Sequence, residues 1–79
     1  MTRAEVFEKL NEIFQEIFDD ENITVEEDTT SADIEDWDSL EHINLVVAIE
    51  KAFKIKFTIN EVSTMKNVGT MVDVILERV

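Results

Sequence analysis

Three side chains that could do chemistry stand close together near the middle of the chain: Asp38, Ser39 and His42. An acid, a hydroxyl and an imidazole form the triad of many hydrolases, in which the imidazole takes the proton of the nucleophilic hydroxyl. Known triad signatures, however, draw these groups from distant parts of the chain. Here they fall within about one helical turn, and the only glycine, Gly69, is too far away in sequence to shape an oxyanion site. We therefore reject a hydrolase and predict that His42 is a partly buried helix residue.

The acidic segment before these residues is a second candidate, as a cation site. A calcium loop of the EF-hand type requires Asp or Asn at alternate positions, a central glycine and a terminal glutamate. No glycine occurs in this segment, and the chain has no cysteine to supply a thiolate ligand. We therefore expect no dedicated metal site, only diffuse screening of the carboxylates by cations.

Ser39 by itself fits a different role, as a point of attachment. If Asp38 is the N-cap of a helix, Ser39 takes the first helical position and its hydroxyl is not needed for capping. The helix dipole and the free amides at that end favour an attached anion, such as a phosphodiester. The plain alternative is that Asp-Ser-Leu-Glu only begins a helix, and spacing alone favours that alternative.

Helical periodicity in three segments predicts the elements that position these residues. Apolar residues recur at three- and four-residue steps in 3–18, 39–53 and 68–79, and Thr2, Asp38 and Asn67 are the expected N-caps. A short helix should run from Thr58 to about Ser63. Residues 53–59 alternate like a strand, but no partner strand exists, so we interpret them as a helix end and a connector. The segment 39–53 is apolar on two sides: one stripe contains His42, Leu45, Val46, Ile49, Ala52 and Phe53, and the other contains Leu40, Ile43 and Val47.

Residues 19–38 show no sustained period and predict a long loop between the first two helices. Four apolar residues in it, Ile23, Val25, Ile34 and Trp37, are expected to hold it to the core. The predicted fold is therefore all-α: a small four-helix bundle with three main helices and one short helix, forming a single domain over residues 1–79.

The charge is strongly acidic and uneven. The 79 residues carry 19 acids and 7 bases, and all of the net charge of −12 lies in residues 1–40. Such a surface repels nucleic acids and anionic membranes, and it attracts proteins with basic patches. No segment is long and apolar enough to span a membrane, and no signal-peptide pattern is present. We expect a cytoplasmic monomer that neither binds nucleic acid nor inserts into a membrane.

The run Asp38-Ser39-Leu40, followed by residues 41–50 and Phe53, resembles the acyl carrier protein family. The resemblance extends to the whole plan: a first helix, an acidic loop ending at the serine, a second helix, a short third helix and a closing fourth. Asp-Ser-Leu is common in isolation, but within this arrangement it is fairly specific.

The resemblance implies a carrier that other enzymes act on, and not an enzyme. Ser39, flanked by Asp38 and Leu40, would receive 4′-phosphopantetheine from coenzyme A through a phosphopantetheinyl transferase that uses Mg²⁺. The arm would then hold acyl groups as thioesters and present them to loading and processing enzymes with basic patches. By position, partner recognition falls to Asp36, Trp37, Asp38, Leu40, Glu41, Ile43, Asn44, Val47 and Glu50, with Asp33 and Glu35 assisting.

Two departures from the family pattern leave the pathway open. The stretch before Asp38 has no glycine, and Asn44 stands where an acid is common in the family. With Trp37 before the serine region and His42 after it, the chain is more similar to specialised stand-alone carriers than to the fatty-acid carrier. Fatty-acid, polyketide-like and aminoacyl or peptidyl carriers therefore remain alternatives. The alternative from another class is an unmodified acidic adaptor that binds a basic protein through the second helix.

Overall fold

The computed structural model describes residues 1–65 and 67–79 and contains four α-helices. They are α1 (Arg3–Ile17), α2 (Ser39–Phe53), α3 (Ile59–Thr64) and α4 (Val68–Arg78). No strand occurs in the described residues, so the prediction of an all-α four-helix fold is confirmed. Within those residues, no helix has the length and apolarity needed to cross a membrane.

Side-chain caps fix where each helix begins. Thr2 and Thr58 both form complete capping boxes, with Glu5 and Glu61 respectively, and Asn67 accepts from the amide of Thr70. These bonds satisfy amides that have no partner inside the helix. Because the caps are polar residues at fixed offsets, the sequence placed all four helix starts correctly.

Asp38 caps α2 as predicted, but without the return bond from Glu41 that would complete a capping box. Asp38 accepts from the amide of Glu41 at 2.8 Å, as expected. The Glu41 carboxylate does not return the bond to Asp38; it accepts from Asn44 Nδ2 at 3.0 Å. The Asp38 amide instead donates to the carbonyl of Asp36 at 3.0 Å. Asp38 is therefore the N-cap, as predicted, but it forms only one half of a capping box.

The core lies where α1, α2 and α4 meet. Its fully buried side chains come from these three helices: Val6, Leu10, Phe14, Leu45, Ile49, Val68, Met71, Val72 and Ile75. The predicted apolar stripe of α2 faces this core, with one exception. Ala52, which was assigned to the buried stripe, is exposed. Ala52 lies in the last turn of α2 on the side that faces solvent, whereas its neighbour Phe53 is buried.

The segment 53–59 is the predicted helix end and connector. Lys54 ends α2 in the left-handed conformation, with φ 57° and ψ 46°, a position where glycine is usual. Ile55 is then buried and Phe57 is half-buried, while Lys54, Lys56 and Thr58 are exposed. The alternation is therefore real, but it packs an extended connector against the helices.

The long loop is held to the helices at several points, as predicted. Val25 and Trp37 are buried, and Ile23 and Ile34 are half-buried. Polar contacts add to this: Asn11 accepts from the amide of Val25 at 2.6 Å. An irregular segment of this length is stable in a small domain only when it is fastened in this way.

The start of α4 is a second fastening point for the loop, and it requires Gly69. The Gly69 amide donates to the Glu27 carbonyl at 2.9 Å. A β-carbon at residue 69 would lie 2.7 Å from that same backbone oxygen. A larger residue would therefore push the loop away from α4, which explains a glycine inside a helix.

Arg3 joins three elements at the same end of the molecule. Its guanidinium binds both Glu27 carboxylate oxygens at 2.6 Å and Asp73 Oδ1 of α4 at 2.7 Å. The hydrogen bonds from Arg3 lower the pKa of Glu27. One cation thus connects the start of α1, the acidic loop and α4.

The contribution of Arg3 to the stability of the folded chain should depend on pH. Because the pKa of Glu27 is lower in the folded chain, the stabilisation is present above the usual glutamate pKa of about 4.3 and is lost as the pH falls through the lower folded value. We expect Arg3→Gln to reduce the melting temperature at pH 7 and to differ less from the unchanged protein at pH 3. The measurement is a pair of thermal melts at each pH.

The matched control for this experiment is Lys56→Gln, which removes the same charge. Lys56 is exposed and forms no ion pair with the described residues. Its effect should be smaller at pH 7. A difference between Arg3→Gln and the unchanged protein that stays constant from pH 7 to pH 3 would contradict the assigned role of Arg3.

Candidate functional site: the surface around Ser39

Ser39 is the first residue of α2, and its side chain is exposed. The capping bond to the Glu41 amide comes from Asp38, and the Asp38 carbonyl accepts from the His42 amide at 2.9 Å. Among the described residues, no hydrogen bond uses the Ser39 hydroxyl. The serine is thus a free primary alcohol beside the amide end of a helix, as the sequence predicted.

An open groove of about 510 Å³ lies beside this hydroxyl. One side is the end of the loop and the start of α2, and the other side is the end of α3. The lining residues are Ser31, Trp37, Asp38, Ser39, His42, Val62, Ser63 and Met65. Ser31, Val62, Ser63 and Met65 were not predicted as site residues. The only signal for the last three was the short helix that ends near Ser63.

Trp37 forms the floor of the groove and anchors the loop. It is only 8% exposed, and its ring meets that of Phe14 edge-on at 5.2 Å between centroids. On the groove side it stacks with the His42 ring at 5.9 Å. Trp37 was predicted both to hold the loop to the core and to contact partners; its burial confirms the first role, and contact with partners stays a prediction.

His42 is half-buried, as predicted, and both of its ring nitrogens are hydrogen-bonded. The Trp37 indole N–H lies 3.1 Å from His42 Nδ1, and His42 Nε2 lies 3.2 Å from the carbonyl of Val62. An indole nitrogen can only donate, so Nδ1 is the acceptor, and Nε2–H donates to the Val62 carbonyl. Neither nitrogen is available to Ser39, which agrees with the rejection of a hydrolytic triad.

The predicted second stripe of α2 forms an exposed apolar face next to Ser39. Leu40, Ile43 and Val47 are 67%, 57% and 43% exposed, respectively. Large apolar side chains that stay exposed in a row are typical of a contact surface. Their exposure favours recognition over core packing for all three residues.

Several acidic residues lie at the end of the loop and the start of α2, where this face begins. Asp36 is exposed, Asp38 is exposed and caps α2, and half-buried Glu41 is bonded to Asn44. The loop acids Asp33 and Glu35 are also exposed. Of the predicted recognition residues, Asp36, Trp37, Asp38, Leu40, Glu41, Ile43 and Asn44 lie at the end of the loop and in the first turns of α2, while Val47 and Glu50 lie further along α2.

Glu50 has an internal contact that the sequence did not predict. Its Oε2 accepts from the Phe57 amide at 2.8 Å, and the residue is half-buried. This bond fastens the connector to α2, so Glu50 has a structural task as well as its predicted contact with partners. The sequence did not predict this bond because tertiary packing sets the path of the connector, and that path brings Phe57 to Glu50.

No metal centre is evident in the part of the chain that the structure describes. There, no three side chains of the His, Cys, Asp and Glu types come together in a way that could hold an ion. The many loop carboxylates are spread over the surface and do not converge.

Comparison with known proteins decides the family. A family model described as the phosphopantetheine attachment site matches residues 8–75. The acyl carrier protein of Guillardia theta is 33% identical over 79 residues, covering all of this chain and 98% of that protein. The chain belongs to the acyl carrier protein family. The acyl carrier protein of Petrotoga mobilis is 32% identical over 99% of this chain and 92% of that protein.

A solved structure supports the same conclusion. The solution structure of the holo acyl carrier protein from Geobacter metallireducens is 40% identical, with a TM-score of 0.87, and covers 92% of this chain and 84% of that one. The protein is therefore a carrier of acyl groups on 4′-phosphopantetheine and not a catalyst. Phosphopantetheinyl transferase and acyl-processing enzymes are its partners. This function replaces the alternative of an unmodified adaptor.

The residues around Ser39 fit this prosthetic group. A phosphodiester needs an accessible hydroxyl and favours the positive end of a helix, and Ser39 offers both. The arm needs space beyond the phosphate, which the adjoining groove provides.

The hydrogen bond between Trp37 and His42 can be tested directly. His42→Ala removes the acceptor of the indole N–H, and loss of one neutral hydrogen bond of about 1 kcal/mol should accelerate exchange of that proton with solvent roughly fivefold. The measurement is hydrogen exchange of the single indole signal by NMR. Ser63→Ala, which changes the same groove without touching this bond, is the control, and equal exchange in the two variants would refute the assignment.

Proposed function

We propose that Ser39 Oγ is the atom to which 4′-phosphopantetheine is attached. One observation carries this proposal. Because the Asp38 side chain caps α2, the Ser39 hydroxyl is not needed for capping, and it is exposed and forms no hydrogen bond with the described residues. The two other serines of the chain lack this combination. Ser63 Oγ donates to the carbonyl of Ile59 at 3.0 Å, and Ser31 lies in the loop and not at the first position of a helix.

The attachment is a simple exchange of bonds. Ser39 Oγ forms a bond to the phosphorus that carries the pantetheine of coenzyme A, and the bond from that phosphorus to the second phosphate breaks. The hydroxyl proton passes to a base on the transferase. The anionic product lies at the positive end of α2, where the helix dipole stabilises it.

Once bound, the prosthetic group supplies a thiol that holds an acyl group as a thioester. The chain itself contains no cysteine, so that thiol has no competitor for thiol chemistry on the same molecule. What this chain contributes is position: a rigid helix start that presents the arm and a surface that partner enzymes recognise.

The attachment site is tested by two serine variants that line the same groove. After incubation with coenzyme A, Mg²⁺ and a broad-specificity transferase, the unchanged protein and Ser63→Ala should each gain one arm and one reactive thiol. Ser39→Ala should gain neither. Intact mass and a thiol reagent measure both outcomes, and modification of Ser39→Ala would show that the arm is attached elsewhere.

We also propose that the exposed face of α2 is the surface that partner enzymes bind. Leu40, Ile43 and Val47 form an apolar centre beside Ser39, and Asp36 and Glu41 lie at its acidic edge. A complementary partner would have an apolar depression surrounded by Lys and Arg. The net charge of −12 works against pairing with a second copy, which supports a monomer.

The pathway remains one of three: fatty-acid, polyketide-like, or aminoacyl and peptidyl synthesis. Names of the relatives fit fatty-acid synthesis. In having Trp37 and His42 beside the serine, however, the chain is more similar to specialised stand-alone carriers than to the fatty-acid carrier. The mass of the loaded protein from its native host would distinguish the three.

The role of charge in recognition is tested by reversing Glu41. We expect Glu41→Lys to lower kcat/KM of the transferase roughly fivefold, the equivalent of about 1 kcal/mol for an exposed charge contact. Glu8→Lys, the same reversal at an exposed position of α1, should have a smaller effect. Added salt should reduce the difference in kcat/KM between Glu41→Lys and the unchanged protein, because salt screens exposed charges. Equal effects of the two variants would mean that the acidity acts only as a diffuse field.

A further inference from the structure

An open groove with a basic lining lies at the opposite end of α2 from Ser39. It has a volume of about 390 Å³ and is formed by the last turns of α2 and the connector that follows. Its lining residues are Val47, Glu50, Lys51, Lys54, Ile55 and Lys56. We refer to this site as the basic groove.

The lysines of the basic groove are a local exception in an acidic protein. Only 7 of the 79 residues are bases, against 19 acids, and 3 of those bases lie in this one lining. Lys51, Lys54 and Lys56 are all exposed. Among the described residues, the ion pairs involve Arg3 and Arg78 and no lysine. The three ammonium groups are therefore available to a ligand from outside the chain.

Glu50 is the one acid in the lining, and it does not neutralise the groove. Its Oε2 accepts from the Phe57 amide at 2.8 Å. It forms no ion pair with a lysine in the part of the chain that the structure describes. Three ammonium groups against one carboxylate leave the lining with a net charge of +2.

Lys54 occupies a backbone position that is unfavourable for a lysine. It ends α2 with φ 57° and ψ 46°, and this left-handed conformation is costly for a residue with a β-carbon and is usually occupied by glycine. Lys51 and Lys54 can offset the helix dipole at this end, but that effect does not account for Lys56 in the connector. Because strained positions are retained where the side chain is used, the conformation of Lys54 indicates a task for its ammonium group.

Val47 makes the basic groove continuous with the exposed apolar face of α2. It lines the groove, is 43% exposed and belongs to that face together with Leu40 and Ile43. Asp38 and Glu41 lie at the start of the same helix. The two ends of α2 are about 20 Å apart, a span that one partner of ordinary interface size covers. The surface of α2 therefore has an acidic start, an apolar middle and a basic end.

We propose that the basic groove binds an acidic segment of a partner enzyme, an inference that rests on the proposed function of α2 as the partner surface. Such a partner meets α2 with basic residues at its start and with Asp or Glu at its end. Opposite charges at two separate points fix the direction in which the partner docks, because the reversed orientation places like charges against each other. Direction matters for a carrier, since the arm on Ser39 has to reach the active site of the partner.

The experiment measures the binding of two short peptides to the isotope-labelled full chain by NMR. The acidic peptide is Glu-Glu-Leu-Glu-Glu and the basic peptide is Lys-Lys-Leu-Lys-Lys, both capped at their ends. In about 0.1 M salt, charges more than about 10 Å apart are largely screened. The acidic peptide should shift the amide signals of Lys51, Lys54 and Lys56, and the basic peptide should shift those of Asp38 and Glu41. Inorganic phosphate should shift the groove signals less than the acidic peptide does.

Three variants separate the charge of the groove from the stability of the fold. Lys54→Gly removes one charge and relieves the left-handed strain, so its melting temperature should not fall, while its Kd for the acidic peptide should rise about threefold, as expected for one exposed charge contact. Lys51→Gln should raise that Kd by a similar factor. The control is Lys9→Gln, which removes the same charge outside the groove, where the ammonium lies 5.4 Å from the centroid of the Phe53 ring. Its Kd should stay within about twofold of that of the unchanged protein.

Equal weakening by Lys9→Gln and Lys54→Gly would overturn the proposal, because the overall charge would then explain the binding. Groove shifts with phosphate as large as those with the acidic peptide would also overturn it, since the groove would then be a site for small anions. A lower melting temperature of Lys54→Gly would mean that Lys54 is not strained and would count against the proposal.

The two peptides distinguish failure of this proposal from failure of the partner surface. If the basic peptide shifts the start of α2 and the acidic peptide leaves the groove unchanged, the basic groove is not a docking site and the proposed partner surface stands. If the basic peptide shifts no signal at the start of α2, the proposed partner surface fails, and the docking role of the groove fails with it.

Discussion

The packing of Trp37 against the core is the contact on which the site depends. Its ring lies edge-on to Phe14, and this fixes the end of the long loop to the bundle at one point. The next residue, Asp38, is then placed to cap α2, and Ser39 follows at the first helical position with its hydroxyl exposed. Because the anchor, the cap and the serine are consecutive, a displacement of the anchor would be transmitted directly to the serine.

The concentration of acids in residues 1–40 creates repulsion that the fold has to offset. Arg3 offsets part of it by binding Glu27 and Asp73, and the amide of Gly69 adds a backbone contact to the same part of the loop. Trp37 holds the other end. Between these fastening points, Asp33, Glu35 and Asp36 remain exposed. The acidity is thus retained where partners can reach it and is neutralised where the loop crosses the helices.

Local signals in the sequence predicted the helices well, because caps and apolar periodicity act over a few residues. Asp38 placed the start of α2, and the absence of a partner strand correctly excluded a strand at 53–59. Long-range contacts were out of reach. Ala52 follows the buried stripe in sequence, but no other helix covers it. The bond from Phe57 to Glu50 and the bond from His42 to Val62 join residues whose proximity depends on how the connector and α3 return to α2. For the same reason, the groove beside Ser39 could be predicted on one side only.

Two features of the site, the position of Ser39 and the attachment of α3, depend on one imidazole. His42 completes the hydrogen bonding of Trp37, the residue that sets the position of Ser39, and it also fastens α3 to α2. A change at His42 would therefore loosen both the loop end that leads into Ser39, from which the arm is presented, and the attachment of α3 to α2.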